Sequence, residues 1–177
     1  MAKKTALPVG DLGLIKELRE HGRLADVSEL FKTISNPEVI LVTCADAHEE
    51  HVLHKHKFTS SIHFHSYTGG ACRLSLPDME NCELLIQDVA KDAVQTITSI
   101  NRRHLVALVG HYPCSWAENY GAGVAEQIVM LEVAHHRVTE AIRQALLALK
   151  PPITDPVRVE AFFYINEGEK KRTYWIR

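Results

Sequence analysis

The fold is decided by the stretch VILVT at residues 39–43, an unbroken apolar run rich in β-branched residues. A second run of this kind, LVALVG, occupies residues 105–110. Unbroken runs of this length are typical of strands that are buried on both faces, as the strands of a parallel sheet are. The two runs therefore predict two central strands of a parallel sheet.

The rest of the chain alternates between helical and extended patterns. Apolar residues recur at helical spacing in two short segments between residues 11 and 34, in residues 88–102 and in a long segment at residues 124–149. Further strands are predicted at residues 61–67, at residues 83–87 and, as a pair at the sheet edge, at residues 157–164 and 172–176. Strands that alternate with helices predict an α/β fold, here a mostly parallel, twisted sheet flanked by helices with C-terminal edge strands.

Length and composition indicate a single domain that spans residues 1–177. The chain is 46% apolar and 24% charged, and its formal net charge of -2 gives no reason to expect a nucleic-acid partner. No apolar run reaches the roughly 20 residues of a membrane span, and the N-terminus lacks the apolar stretch of a signal peptide. We therefore expect a cytoplasmic protein whose cysteines are thiols or metal ligands rather than disulfides.

Two short motifs follow the two strongest predicted strands. Cys44, Asp46 and His48 belong to the motif CADAH, and His111 and Cys114 belong to the motif HYPC. In open α/β sheets, ligands bind outside the carboxyl ends of the strands. If the two strands are neighbours, Cys44 meets His111 and Cys114 there, and two thiolates with one imidazole form a known catalytic zinc set. The motifs therefore predict one zinc ion per chain, with a fourth position for water or substrate.

A plainer interpretation treats Cys44 and Cys114 as small buried hydrophobic residues. His111 would then cap a helix or satisfy a core hydrogen bond. Either motif alone favours that interpretation, whereas the placement of both motifs directly after buried strands favours the metal site.

The two motifs resemble those of the β-class carbonic anhydrases. That family carries Cys-x-Asp-x-Arg after its first sheet strand and His-x-x-Cys after a later strand, in the same order as CADAH and HYPC here. The approach to the first strand, residues 36–39, and the loop at residues 67–71 also fall where the family has its own approach and its Arg-Asn-Ala-Gly loop. The resemblance spans most of the chain, and its specific part is the two metal motifs.

The resemblance implies a β-carbonic-anhydrase-like fold in which Cys44, His111 and Cys114 bind zinc. It implies that Asp46 either partners a zinc-bound hydroxide or closes the site as a fourth ligand. The hydroxide would hydrate CO2 to bicarbonate, because zinc lowers the pKa of bound water to about 7. It also implies a homodimer or higher homo-oligomer, with N-terminal helices of about residues 11–35 contacting the partner.

His48 stands where the family has the arginine that holds the aspartate off the metal. Arginine does so with a rigid two-donor fork that keeps its charge, whereas an unperturbed imidazole changes charge near pH 6.5. We therefore hypothesise that Asp46 leaves the zinc only when His48 is charged. If Asp46 never leaves, the chain is a non-catalytic zinc protein.

The loop at residues 67–71 lacks the arginine and asparagine of the family loop. A less polar pocket would suit a less polar substrate. Hydrolysis of carbonyl sulfide or carbon disulfide is therefore the alternative reaction.

Other residues have competing interpretations. The His-rich stretch at residues 48–56 is interpreted as a solvated amphipathic helix in preference to a second metal site, with a proton relay through one histidine as a further role. Cys72 and Cys82 lack the spacing of a zinc knuckle and are expected to be buried thiols. Gly69 and Gly70 either let the backbone approach a substrate or turn the chain.

Overall fold

The computed structural model describes residues 9–34, 37–45, 61–99, 104–153, 157–167 and 170–177. Its helices are α1 (Val9–Glu20), α2 (Val27–Phe31), α3 (Gly70–Arg73), α4 (Cys82–Ser99), α5 (Ser115–Asn119) and α6 (Val124–Leu147). Its strands are β1 (Leu24–Asp26), β2 (Glu38–Cys44), β3 (Ser61–Tyr67), β4 (His104–Tyr112), β5 (Arg158–Glu167) and β6 (Lys170–Ile176). None of the described helices combines the length and the apolar character that a bilayer span requires. Asp46, His48 and the rest of the His-rich stretch lie outside the described residues.

The described strands form one sheet in the order β1-β6-β5-β4-β2-β3. Strands β3, β2, β4 and β5 run parallel to one another, while β6 is antiparallel to both β5 and β1. Helices flank this sheet, so the predicted α/β fold with a mostly parallel sheet is confirmed. The predicted C-terminal strand pair is the antiparallel pair of β5 and β6, in which Phe163 lies opposite Tyr174.

Burial on both faces explains the unbroken apolar pattern of β2 and β4. Val42 and Leu108 pack into one hydrophobic cluster with residues of α1 and of α3 to α6. Leu41 and Leu105 pack into a second cluster, with residues of α2, on the other face of the sheet. Every residue of β2 is buried. The two motif-bearing strands thus form the buried centre of the fold, and Cys44 and His111 lie at their carboxyl ends.

Residues 83–87 belong to α4 and not to a strand. Ile86, Val89 and Ala93 are buried at helical spacing, whereas Leu84 is 63% exposed. The predicted strand was wrong because a short apolar run cannot be assigned to a strand or a helix from its own periodicity. Residues 83–87 form the first turn and a half of α4, and the apolar face of this amphipathic helix continues through the residues that follow.

The N-terminal region contains a strand that the sequence patterns did not predict. β1 pairs antiparallel with β6, so that Leu24 lies opposite Ile176, and β1 rather than the C-terminal pair occupies this edge of the sheet. α2 follows at once, because the Asp26 carboxylate accepts a hydrogen bond from the backbone N–H of Ser28 at 2.8 Å and caps the helix. The partner of β1 lies at the far end of the chain, so no local pattern reveals this pairing.

The role of residues 11–35 in dimerisation stays a prediction. Ile15 and Leu18 of α1 and Leu30 of α2 are buried in the chain's own core. Leu12 is 46% exposed, so it remains available to a partner.

Candidate metal centre

Three buried side chains meet at the carboxyl ends of β2 and β4. Cys44 is the last residue of β2, His111 is the penultimate residue of β4, and Cys114 is the N-cap of α5. One ligand atom from each residue lies within 4.8 Å of the other two. The two strands are parallel neighbours, so Cys44 lies at the same rim of the sheet as His111 and Cys114.

The two sulfur atoms have the separation that a shared metal ion requires. The Sγ atoms of Cys44 and Cys114 are 3.9 Å apart, far beyond the bond length of about 2.05 Å in a disulfide. Two thiolates that each lie about 2.3 Å from a tetrahedral zinc ion are about 3.8 Å apart. Both residues are almost fully buried. The sulfurs are therefore spaced for one zinc ion without rearrangement of the backbone.

The imidazole of His111 supplies the third donor. Its Nε2 atom is buried and has no hydrogen-bond partner among the described residues. A buried polar atom that lacks a partner costs about 1–3 kcal/mol, so a native structure rarely leaves one without a role. A metal ion between the three ligand atoms would satisfy Nε2. Two sulfurs with one imidazole nitrogen suit zinc better than magnesium or calcium.

The electrostatics of the metal-free site favour protonated sulfur. The hydrogen bond with the Cys44 sulfur and then burial raise the pKa of the Cys114 thiol far above its ordinary range. The metal-free thiol therefore keeps its proton at neutral pH. Metal binding must displace that proton, because the thiolate is the ligand.

Two glycines pack α3 against the metal-binding strand. Gly70 has a φ of +54°, and a Cβ atom placed there would lie 2.5 Å from the backbone nitrogen of Cys44. Gly69 has a φ of +86°, and a Cβ atom placed there would lie 2.5 Å from the Trp116 ring. The close approach is therefore to Cys44 and Trp116 of this chain. The Gly-Gly pair in the sequence indicates a close approach of the backbone, but it does not indicate which residues the pair packs against.

The remaining cysteines lie in the same hydrophobic core cluster as Cys44 and Cys114. Cys72 and Cys82 are buried, which confirms the prediction for both thiols. Burial, and then the charge of Cys44, raise the pKa of the Cys72 thiol to about 12. The Cys82 thiol donates to the carbonyl oxygens of Arg73 and Leu74, each at 3.6 Å. Neither thiol belongs to the group formed by the three candidate ligands.

The aromatic side chains near the rim of the sheet differ in their exposure to solvent. Trp116 is buried and Tyr120 is 56% exposed, with 4.6 Å between their ring centroids. Tyr67 ends β3 opposite Cys44, and its carbonyl oxygen accepts a hydrogen bond from the backbone N–H of Ala45 at 2.9 Å. Trp116 therefore belongs to the core, while Tyr67 anchors the backbone that leaves Cys44.

Solved structures similar to this chain include carbonic anhydrases. A mutant of the β-carbonic anhydrase CafD of Aspergillus fumigatus is 13% identical, with 88% of this chain and 98% of that chain covered and a TM-score of 0.48. The carbonic anhydrase of Streptococcus mutans is 18% identical, with coverages of 96% and 99% and a TM-score of 0.37. The apo form of a carbon disulfide hydrolase is 14% identical, with coverages of 90% and 87% and a TM-score of 0.37. No protein-family model and no curated protein matches the chain. The chain is thus similar, at low sequence identity, to several β-carbonic anhydrases of known structure.

Proposed function

We propose that this chain is a zinc enzyme that hydrates CO2 to bicarbonate. The observation that carries the proposal is the buried group of Cys44, His111 and Cys114, whose ligand atoms lie within 4.8 Å of one another. Three protein ligands are typical of catalytic zinc sites, which keep a fourth position for water. The resemblance of the CADAH and HYPC motifs to those of the β-class carbonic anhydrases supports CO2 as the substrate.

The proposal gives each motif residue a role. Bound zinc would act as a Lewis acid that lowers the pKa of water to about 7. Cys44 and Cys114 would hold the metal as thiolates, and His111 would hold it through Nε2, the nitrogen that has no hydrogen-bond partner among the described residues. Asp46 accepts a hydrogen bond from the attacking water, and His48 keeps the Asp46 carboxylate away from the metal. The last two roles rest on the motif resemblance.

The test is stopped-flow CO2 hydration by zinc-loaded protein from pH 6 to 9, with zinc content measured on the same samples. We expect hydration above the buffer rate in the wild type and the buffer rate alone in Cys44→Ala. Zinc bound at the Cys44 site without hydration at any pH would overturn the CO2 assignment. Turnover of carbonyl sulfide or carbon disulfide by that sample would favour the alternative substrates, and no turnover of any of them would favour a site closed by Asp46.

Replacing His48 with arginine tests how the site opens. We expect His48→Arg to raise hydration activity at pH 7.5 by roughly 10-fold, because an imidazole with a pKa near 6.5 is about one-tenth charged there and arginine is fully charged. The gain should shrink toward pH 6, where the imidazole is mostly charged. The matched control is His51→Arg, which adds the same charge in the same stretch. An equal gain in both variants, or none in His48→Arg, would rule out a specific role for position 48.

A further inference from the structure

A second group of metal-ligating side chains lies on β3, the outer strand of the described sheet. His63 and His65 are two residues apart on this strand, so both side chains project from the same face. Helix α4 packs on that face and presents the Asp92 carboxylate to both imidazoles. The chemistry proposed for Cys44 does not involve these three residues.

The Asp92 carboxylate lies between the two imidazoles. Its Oδ2 atom is 3.0 Å from Nε2 of His65, and its Oδ1 atom is 3.9 Å from Nδ1 of His63. The side chains of His65 and Asp92 are 17% and 24% exposed, and that of His63 is 46% exposed. The group is thus partly shielded on one side and open to solvent on the other.

We propose that His63, His65 and Asp92 form a second binding site, for a divalent transition metal ion of the zinc type. Two imidazoles with one carboxylate are a ligand set that such ions accept. Ligand atoms about 2.1 Å from one metal ion are about 3.0 Å apart at a right angle and about 3.4 Å apart at the tetrahedral angle. The His65 and Asp92 atoms already have this separation. The nearest His63 nitrogen is 3.9 Å from the other carboxylate oxygen, so the exposed His63 side chain must rotate toward His65 before all three residues reach one ion.

A neighbouring hydroxyl holds His65 in the orientation that a metal ligand needs. The Tyr67 hydroxyl lies 2.8 Å from Nδ1 of His65, the nitrogen that does not face Asp92. When Nε2 binds a metal, Nδ1 carries the proton and donates it to this hydroxyl. A hydrogen bond at the outer nitrogen is the usual support of a metal-bound histidine.

Negative charge around the group also favours a cation. Asp88 precedes Asp92 by one turn of α4, so a second carboxylate contributes to the negative potential at the site.

The test is titration of metal-free protein with Co²⁺, followed by absorption spectroscopy and by the metal content after gel filtration. We expect two equivalents per chain in the wild type. Thiolate-to-cobalt absorption reports the site at Cys44 and is absent from a site of nitrogen and oxygen ligands. His65→Ala and the isosteric Asp92→Asn should each retain one equivalent with the thiolate band intact, whereas Cys44→Ala should retain one equivalent without that band. Tyr67→Phe should weaken the second equivalent by roughly 10-fold to 100-fold.

Two controls separate this site from other histidines and from misfolding. Ser66→Ala alters an exposed neighbour on the opposite face of the same strand and should keep both equivalents. His51→Ala should keep both as well, because it removes an imidazole from the His-rich stretch and not from this group. A second equivalent that survives both His65→Ala and Asp92→Asn, or that disappears in His51→Ala, would overturn the proposal. If the wild type shows no thiolate band but still binds the equivalent assigned to His63, His65 and Asp92, the proposed function is contradicted and this second site remains supported.

Discussion

Cys114→Ala is expected to lower the zinc affinity of the chain by at least about 100-fold and to reduce CO2 hydration to the buffer rate. Changes in residues that merely support a metal ligand already cost about 10- to 100-fold in affinity, so removal of a ligand itself should cost no less. The Cys114 sulfur lies 3.9 Å from that of Cys44, and no other thiol belongs to the ligand group found among the described residues. The measurement is competition with a zinc chelator at fixed pH.

The matched control is Cys72→Ala, which also removes a buried thiol beside this centre. It should retain one zinc ion at wild-type affinity in the Cys44 site, although it costs some stability through the small cavity it leaves. Thermal unfolding gives a second readout, because zinc at 100 times its Kd stabilises the native state by about 2.7 kcal/mol. That stabilisation should be lost in Cys114→Ala and kept in Cys72→Ala. Equal zinc affinity in the two variants would remove Cys114 from the ligand set.

Gly70→Ala is expected to destabilise the fold by about 2–5 kcal/mol and to weaken zinc binding at the same time. The left-handed backbone costs a non-glycine residue about 1–2 kcal/mol, and the overlap of the new Cβ with a packed backbone adds about 1–3 kcal/mol. That Cβ would lie 2.5 Å from the nitrogen and 2.9 Å from the Cα of Cys44, so the strand end that carries the ligand must shift. The measurement is the free energy of unfolding in denaturant, together with zinc affinity.

Gly22→Ala separates the two causes. Gly22 also has a positive φ, of +72°, but a Cβ atom placed there meets nothing within 4 Å. We therefore expect it to lose about 1–2 kcal/mol from the backbone cost alone and to bind zinc as the wild type does. If both variants lose the same stability and keep the same zinc affinity, the contact between Gly70 and Cys44 has no role in shaping the site.

The parts of the fold that were predicted correctly are those with a local signal. β2 and β4 are buried on both faces, so their residues are apolar without alternation, and this pattern is visible within each stretch. Cys44 and His111 lie at the ends of those strands and Cys114 lies two residues beyond β4, so the same local pattern indicates where the three candidate ligands lie. The run at residues 83–87 gave the wrong answer because it is too short to distinguish a strand from the start of α4.

The sequence shows the histidines of the second proposed site, but it does not show which residue completes that site. His63 and His65 stand two apart in a predicted strand, which is the spacing at which two imidazoles share a face. Their third member, Asp92, lies 27 positions after His65 on a helix, and only the packing of α4 against the sheet brings it within hydrogen-bond distance. The Gly-Gly pair is similar, since its contacts are with Cys44 and Trp116 on other elements.

The sequence by itself determined the class of fold, the two central strands and the three residues that can hold a zinc ion, because each depends on side-chain types within a few positions. Only the tertiary structure decided that β2 and β4 are parallel neighbours, that the two sulfurs lie 3.9 Å apart and that the His111 Nε2 atom is buried beside them. It also decided that β1 closes the sheet against β6. The physical reason is that these contacts join residues far apart in the chain, and the packing of the whole core, rather than any local preference, sets their distances.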